Sequence, residues 1–296
     1  MRLYLDCDTG IDDAIALAYL LRAPDVTLAG IGTTNGNTSA GQAARNTLGL
    51  LALSGISNIP VSVGAGDPRA GAEHVHGGNG IGGIDLPAGG TPDPRTAVEL
   101  LLDLAGREEP LHLLVTGPCT NIAEALRRDP SLPSRIASVT VMGGAVRAPG
   151  NVTPVAEANI HDNPAAAADV LAAAWPVTLV PLDVTMAHRW TATDQASLRE
   201  TGNPLHRALA DMLTAYLDFY ESAHTLREVP LHDPLAAAIA VGTVVPAEAP
   251  TLRLRVGDDG AVREDPAGPG RARVVFTVDR PAAPIILHGI SGTPLP

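Results

Sequence analysis

The amino-acid sequence predicts an α/β protein with an open, mostly parallel sheet flanked by helices. Up to Leu182, short apolar runs alternate with alanine-rich helical stretches, which is typical of a parallel sheet covered by helices on both faces. Polar motifs follow several of these apolar runs, at the strand ends where open α/β sheets bind ligands. The chain of 296 residues is 45% hydrophobic, which is enough for one large core.

The alternating segments define a Rossmann-like core. We predict strands over Leu3–Cys7, Val26–Thr33, Val61–Val63, Leu111–Val115, Ile136–Met142 and Val177–Pro181. We predict helices over Asp12–Leu21, Ala40–Leu53, Ala97–Ala105, Ile122–Arg127 and Ala165–Ala173. Strands alternate with helices in this order when they belong to βαβ units, so the sheet is expected to be parallel.

A smaller helical and hairpin region is predicted after about residue 183. Its helices are predicted over Leu205–Ala223, with aromatic residues at 216, 219 and 220, and over Pro234–Val241. A late hairpin is predicted between Leu252–Val256 and Arg273–Val278, with turn chemistry at Gly257-Asp258-Asp259-Gly260. No segment has the composition of an interdomain linker, so residues 1–296 are expected to form a single domain.

Charge and composition exclude several classes of partner. Asp and Glu total 32 against 20 for Lys and Arg, which gives a formal net charge of −12. A chain this acidic repels phosphate backbones, so no nucleic-acid partner is expected. The apolar runs are too short for a membrane span and the N-terminus lacks a signal-peptide pattern. Two cysteines are too few for a disulfide framework, so we expect reduced thiols and a cytoplasmic location.

The most specific motif is Asp6-Cys7-Asp8-Thr9-Gly10-Ile11-Asp12-Asp13, which follows the first predicted strand. Its four carboxylates lie within eight residues and repel one another unless a cation holds them together. Hard divalent ions such as Ca²⁺ and Mg²⁺ need oxygen ligands. Helix capping would explain Asp12 and Asp13 but does not require Asp6 and Asp8. A metal site is therefore the better interpretation.

Two further motifs follow predicted strands. Thr116–Asn121 comes after the strand at 111–115 and is by itself an ordinary strand-to-helix turn. Met142-Gly143-Gly144 precedes a loop that contains Asn151, Glu157 and Asn159. These three side chains are suited to binding hydroxyl groups, and their concentration in one loop indicates a sugar site.

Two histidine motifs lie elsewhere in the chain. His74-Val75-His76 belongs to a long loop that is rich in Gly, Pro and Asp, and loops of that length are usually functional or mobile. His232-Asp233-Pro234 opens a late helix. An Asp before Pro is more often a helix cap than a ligand, so the local sequence leaves both roles open for Asp233.

Together these motifs and their order resemble the inosine–uridine-preferring nucleoside hydrolase family, from Asp6 to about Ala238. The resemblance implies an enzyme that hydrolyses the N-glycosidic bond of ribonucleosides to a free base and ribose. It also implies Ca²⁺ as the cofactor, a small-molecule ribonucleoside as the partner, and a homo-oligomer, either a dimer or a tetramer.

The resemblance also assigns roles to individual residues. The implied Ca²⁺ ligands are the side chains of Asp8, Asp13 and Asp233 and the backbone carbonyl of Thr116. Asp8 is also the implied general base, which would accept a proton from the attacking water. The implied ribose ligands are Asp12, Asn37, Asn151, Glu157 and Asn159. His76 and His232 match residues near the base, and His232 could act as the acid for the leaving group.

The chain departs from the family pattern at two places. Ala158 stands where an aromatic residue is usual between Glu157 and Asn159, and the segment from Pro284 to Gly289 lacks the usual aromatic residues of the terminal helix. Purine-specific members carry Trp immediately before the last Asp ligand, where this chain has His232. Strict purine specificity is therefore disfavoured, whereas pyrimidine-preferring and broad specificities both remain open.

Two other functions fit part of the pattern. A haloacid dehalogenase-type phosphotransferase also starts with a strand and Asp-x-Asp, which would make Asp6 the nucleophile. That family needs a downstream lysine, and this sequence contains none. A non-catalytic nucleoside-binding protein would keep the residues that bind the sugar and lose the general base. This chain retains Asp8, the implied general base.

Overall fold

The computed structural model describes residues 1–66 and 73–292. Its strands are β1 (Arg2–Cys7), β2 (Thr27–Thr33), β3 (Val61–Val63), β4 (Leu111–Val115), β5 (Ile136–Met142), β6 (Val177–Val180), β7 (Arg189–Thr191), β8 (Glu228–Pro230), β9 (Pro246–Glu248), β10 (Thr251–Val256), β11 (Val262–Glu264), β12 (Gly270–Val274) and β13 (Thr277–Val278). Its α-helices are α1 (Ile11–Leu20), α2 (Ala40–Leu53), α3 (Glu73–His76), α4 (Ala97–Ala105), α5 (Thr120–Arg128), α6 (Ala158–Asp162), α7 (Pro164–Ala172), α8 (Leu182–Thr185), α9 (Ala192–Glu200), α10 (Pro204–His224), α11 (His232–Ala240) and α12 (Ala282–Ser291). A 3-10 turn covers Leu132–Arg135.

Nine of the described strands form one central sheet, in the order β11-β10-β12-β6-β5-β4-β1-β2-β3. All neighbouring pairs from β12 to β3 are parallel, whereas β10 runs antiparallel to β11 and β12. The order 3-2-1-4-5-6 within this sheet is that of Rossmann-like folds, in which ligands bind where the strand order reverses. The predicted fold class is confirmed, and the reversal lies between β1 and β4.

Alternating side chains of the central strands enter two hydrophobic cores on opposite faces of the sheet. Leu3 and Leu5 of β1 belong to one core, while Tyr4 belongs to the other. In β4, Leu114 faces the first core, and the flanking Leu113 and Val115 face the second. Burial on both faces explains why these strands are nearly continuous apolar runs in the sequence.

Most predicted boundaries agree with the structure. The elements α2, β3, α4, β4 and β5 have the predicted bounds, and the other predicted elements of the core differ by at most two residues at either end. Local capping explains why two of the helix starts were predictable. Ser39 accepts a hydrogen bond from the backbone of Gln42, and Thr96 forms a capping box with Glu99.

The late hairpin was predicted with the wrong turn. The turn at 257–260 connects β10 to β11, with Val256 opposite Val262, and β12 pairs with the other edge of β10. The strand β12 also pairs with β6, so the late region extends the central sheet. Thr277 and Val278 belong to β13, which pairs with β9 in a separate two-stranded sheet. Residues 257–260 do form a turn, as predicted. The strand that follows it, β11, has only three residues and was too short to recognise in the sequence.

The C-terminal segment is helical although it lacks aromatic residues. Ile285, Ile286 and Ile290 of α12 are buried, and the indole nitrogen of Trp190 donates a hydrogen bond to the carbonyl of Ala283 at 3.1 Å. Aliphatic side chains therefore pack this end of the chain. Within residues 1–66 and 73–292, no helix combines the length and the apolar character that crossing a membrane requires.

Candidate active site

Two buried helices begin side by side and bring three carboxylates together. Every residue of α1 is buried, and α11 is buried from His232 to Ile239. The first turn of α1 contains Asp12 and Asp13, and the first turn of α11 contains Asp233. Carboxylate oxygens of these three residues lie within 4.8 Å of one another. Helix N-termini favour negative charge, so the ends of both helices stabilise this group.

Asn37 connects Asp8 to this group of carboxylates. The backbone N–H of Asn37 donates to Oδ2 of Asp8 at 2.6 Å, and its side-chain Nδ2 donates to Asp8 Oδ1 and Asp13 Oδ2, both at 3.2 Å. A Cβ atom on Gly36 would lie 1.9 Å from Asp8 Oδ2, so glycine is required there. Thr9, which follows Asp8, has a φ of +22°, a strained value of the kind found at functional sites.

Burial raises the pKa of Asp8 and of the three clustered residues Asp12, Asp13 and Asp233. It raises the pKa of Asp12 to about 7, with the charge of Asp13 as the second cause. The pKa values of Asp8 and Asp233 are also raised, first by burial and then by a neighbouring aspartate, while hydrogen bonds oppose the rise in the pKa of Asp13.

Among the residues that the structure describes, no cationic side chain is paired with these carboxylates. In the described parts of the chain, no arginine forms an ion pair with any of the four. Oδ1 of Asp12 is buried and has no hydrogen-bond partner among the described residues. Buried charges are normally paired or bind metals, so this donor set fits a divalent cation.

Thr116 joins the end of β4 to this group. Its Oγ1 donates to Asp13 Oδ1 at 2.7 Å, and its backbone carbonyl accepts a hydrogen bond from Nδ2 of Asn159 at 2.8 Å. The same amide nitrogen of Asn159 lies 3.3 Å from the carbonyl of Met142, at the end of β5. The structure thus brings the predicted metal ligand Thr116 and the predicted ribose ligand Asn159 into direct contact.

Glu157 caps the short helix α6. Its Oε1 accepts from the backbone N–H of Asn159 at 2.9 Å, and its Oε2 accepts from those of Gly144 at 2.8 Å and Ile160 at 3.2 Å. Burial raises the pKa of this carboxyl, against the effect of these hydrogen bonds. Glu157 therefore holds the loop against the end of β5, a structural role that the sequence did not reveal.

The loop before α6 is anchored from α8. Oδ1 of Asp183 accepts backbone hydrogen bonds at 2.7 and 3.0 Å, and Oδ2 accepts a third at 2.9 Å, all from residues 146–148. Further along the loop, Oδ1 of Asn151 accepts from the backbone N–H of Ala158 at 3.1 Å. These contacts fix both ends of the segment that carries Asn151.

One cavity, of about 170 Å³, collects most of these groups. Nine of the eleven predicted site residues line it, namely Asp12, Asn37, His76, Thr116, Asn151, Glu157, Asn159, His232 and Asp233. The other two, Asp8 and Asp13, are buried beneath it and are bonded to Asn37. The structure therefore brings the eleven residues together in one place, and their individual roles stay predictions.

An aromatic wall on α10 was not predicted as part of the site. We define this wall as Tyr216, Phe219 and Tyr220, which all line the cavity. The rings of Tyr216 and Phe219 lie 5.1 and 5.4 Å from that of Tyr220, and His76 lies 5.3 Å from Tyr216. Their spacing of three and four residues places them on one helical face, which was the available signal.

The two histidines have different surroundings. His76 accepts a hydrogen bond at Nδ1 from the backbone N–H of Ile11 at 3.1 Å. In His232, Nδ1 lies 2.8 Å from Oγ1 of Thr185, whereas Nε2 is buried without a hydrogen-bond partner in the described ranges. Burial, and then the charge of Arg189, lowers the pKa of His232 to about 4. The ring is therefore neutral at pH 7, and a cation bound nearby would lower its pKa further.

Comparison with known proteins identifies the family. The profile of the inosine-uridine preferring nucleoside hydrolases matches residues 3–283. The chain belongs to this family. It is a nucleoside hydrolase that cleaves ribonucleosides, as the sequence predicted, and its acidic cluster agrees with the metal dependence of these enzymes.

Related nucleoside hydrolases include enzymes named for pyrimidine substrates. The chain is 38% identical over 240 residues to the pyrimidine-specific ribonucleoside hydrolase RihA of Citrobacter koseri, an alignment covering 79% of this chain and 77% of the relative. It is 34% identical over 242 residues to a probable uridine nucleosidase 1 of Oryza sativa subsp. japonica, covering 79% and 75%.

A solved nucleoside hydrolase structure with a similar fold is named for purines. The purine-preferring ribonucleoside hydrolase of Gardnerella vaginalis superposes with a TM-score of 0.91 at 32% identity, covering 99% of this chain and 98% of that one. The similarity thus extends beyond the alignments with the pyrimidine enzymes and includes the late region, although the substrate names differ.

The two alternative functions are not supported. Asp6, the nucleophile that a phosphotransferase would need, is fully buried and accepts hydrogen bonds from Nδ2 of Asn121 at 3.3 and 3.0 Å. It does not line the cavity. The relatives are enzymes, which also argues against a non-catalytic binding protein. Cys7 and Cys119 are free and buried, as predicted.

Proposed function

We propose that this nucleoside hydrolase is calcium-dependent and prefers pyrimidine ribonucleosides, with uridine as the reference substrate. The observation that carries the metal part is the group of Asp12, Asp13 and Asp233, whose carboxylate oxygens lie within 4.8 Å of one another. The relatives named for pyrimidine ribonucleosides and uridine support the choice of base. His232, in place of the tryptophan of purine-specific members, supports it as well.

We assign the calcium ligands to Asp8, Asp13, Asp233 and the carbonyl of Thr116. All of them offer oxygen atoms, which Ca²⁺ prefers, and all are buried. Asp12 belongs to the same group of carboxylates, but its Oδ1, which has no partner among the described residues, is assigned to the ribose. When bound, the ion supplies a positive charge that offsets the repulsion among the carboxylates and polarises neighbouring oxygen atoms.

We assign the general base to Asp8. Two hydrogen bonds from Asn37 hold its carboxylate in one orientation. In this position it accepts a proton from the water that attacks C1′ of the ribose, which makes the water a better nucleophile. Cleavage passes through an oxocarbenium-like state, so attack and departure of the base are both assisted by fixed groups.

The ribose and the base are assigned to different parts of the cavity. Asp12, Asn37, Asn151, Glu157 and Asn159 are the proposed partners of the ribose hydroxyls. Hydrogen bonds to fixed hydroxyls align C1′ for attack and reduce the entropic cost of the reaction. His76, His232 and the aromatic wall surround the remaining space, where aromatic rings can stack against a base.

We further propose that residues 1–296 act as one catalytic domain, because the site draws on residues from Asp8 to Asp233. A homo-oligomeric state, as a dimer or tetramer, follows from family resemblance and stays a prediction. A cytoplasmic location also stays a prediction, supported by the two free cysteines.

The proposed function is tested by measuring ribose release from uridine, cytidine, inosine, adenosine and guanosine. We expect the two pyrimidine ribonucleosides to have the highest kcat/KM. Chelation should abolish turnover and lower the melting temperature, because a ligand that binds only the folded state stabilises it. Added Ca²⁺ should restore both. Faster hydrolysis of inosine would contradict the pyrimidine preference, and recovery with Mg²⁺ but not Ca²⁺ would contradict the choice of metal.

A further inference from the structure

Thr185 is a buried hydroxyl residue whose side chain, among the described residues, is hydrogen-bonded to His232. It is the last residue of α8, and it has no exposed surface. Its Oγ1 lies 2.8 Å from Nδ1 of His232. Among the described residues, neither atom has another hydrogen-bond partner. The two side chains therefore form an isolated pair.

The number of hydrogens in this pair decides which nitrogen of His232 is protonated. A neutral imidazole has one N–H and a hydroxyl has one O–H. If Thr185 donates to Nδ1, both atoms are satisfied and the ring proton is on Nε2. If Nδ1 donates instead, the hydroxyl hydrogen of Thr185 is buried without an acceptor, which costs free energy. The first arrangement is therefore the more stable one.

Nε2 of His232 is the nitrogen of the ring that has no partner among the described residues. The atom is buried and unpartnered in the part of the chain that the structure describes, although its ring lines the same cavity as Asp12 and Asp233. An N–H group at this place needs an acceptor. In a ribonucleoside, the carbonyl oxygens and ring nitrogens of the base are acceptors, and negative charge develops on the base as the glycosidic bond breaks.

We propose that Thr185 is a positioning residue that holds His232 as its Nε2–H tautomer, so that the ring donates a hydrogen bond to the departing base. The electron pair of the glycosidic bond passes to the base nitrogen, and His232 keeps its proton during this step. This inference rests on the proposed function, which supplies the base as the acceptor. The ring then acts as a fixed hydrogen-bond donor to the charge that develops on the base.

The kinetic test compares Thr185→Val, which keeps the side-chain shape and removes the hydroxyl, with Thr185→Ser, which retains it. The substrates are uridine and p-nitrophenyl riboside, whose leaving group stabilises its own negative charge. Thr185→Val should lower kcat for uridine about tenfold, the size expected when one hydrogen bond to developing charge is weakened. It should leave KM for uridine and turnover of the nitrophenyl substrate nearly unchanged, and Thr185→Ser should behave like the wild type.

A ¹⁵N NMR spectrum of histidine-labelled protein reads the tautomer without turnover, with His232→Gln used to assign the signal. The wild type should carry its proton on Nε2, and Thr185→Val should alter that signal. An unchanged kcat for uridine in Thr185→Val, an equal loss with both substrates, or a wild-type proton on Nδ1 would each overturn the proposal. Failure of the wild type to release ribose from any ribonucleoside would instead contradict the proposed function, while the NMR result still tests Thr185.

Discussion

The two ends of the cavity are built from different parts of the fold. At the proposed metal end, Asp8, Asp13 and Thr116 follow central strands or open a core helix, and they are 1%, 2% and 2% exposed. At the base end, α10 and the loop before α6 supply the lining, and Val152 in that loop is 53% exposed. The proposed chemistry and the tyrosines of α10 thus lie in the core, whereas the loop before α6 is the exposed part of the lining and can vary with less cost to the fold.

The largest effect is expected from a substitution at the proposed metal end. Asp8→Asn should lower kcat by ~10²–10⁴-fold, because the amide cannot accept a proton from the attacking water. The fold should be retained, although one of the two hydrogen bonds that Asp8 accepts from Asn37 is lost. Measurement of kcat with uridine and p-nitrophenyl riboside checks this, and both substrates should be affected, because the loss concerns the attacking water and not the leaving group.

Asp6→Asn is the matched control for Asp8→Asn. Asp6 belongs to the same motif and is equally buried, but it bonds to Asn121 outside the cavity. Its substitution should reduce stability and leave turnover per folded molecule close to that of the wild type. Near-normal turnover of Asp8→Asn with metal bound would show that another residue is the general base. The proposed division of roles between the two ends of the cavity would then lose its main support.

The residues of the proposed metal end are easier to recognise in the sequence than those of the proposed base end, for a physical reason. Asp8, Asp12 and Asp13 are neighbours in the chain and follow a strand, so their proximity is local. The aromatic wall is visible as a helical pattern, but only the packing of α10 decides which face meets the cavity. Nothing in the sequence around Thr185 indicates its contact with His232, because 47 residues separate them.

The next expected effect concerns the ribose hydroxyls, which lie between the two ends. Uridine should be hydrolysed at least ~10-fold faster than 2′-deoxyuridine, measured as kcat/KM, because the missing hydroxyl leaves buried polar groups without partners. Asn159 and Glu157 are the groups concerned, and Ala158 between them should not remove the preference. Equal turnover of the two substrates would show that these residues only support the loop, as the capping contacts of Glu157 already do.

A smaller effect is expected from the aromatic wall. Phe219→Ala should raise KM for uridine about 3- to 10-fold with little change in kcat, because aromatic stacking contributes about 0.5–1.5 kcal/mol. Phe219 is only partly buried, so the substitution should be tolerated by the fold. Phe219→Tyr keeps the ring and is the control. A fall in kcat with unchanged KM would mean that the base end takes part in the chemical step, against the division proposed here.

The smallest expected effect concerns the anchor of the loop that carries Asn151. Asp183 accepts three backbone hydrogen bonds from residues 146–148, and Asp183→Asn replaces one accepting oxygen with an N–H donor that faces these N–H groups. The loop should become less ordered, so KM for uridine should rise about threefold while kcat changes little. Hydrogen bonds to charged groups contribute about 1.5–3 kcal/mol, and only part of this loss should affect substrate binding.

Asp259→Asn is the matched control, since Asp259 also accepts a backbone hydrogen bond, at 3.2 Å from Ala261, in a turn outside the cavity. If Asp183→Asn lowered kcat as strongly as Asp8→Asn does, the loop would have to position the reacting groups themselves, and the core would not fix the chemistry alone.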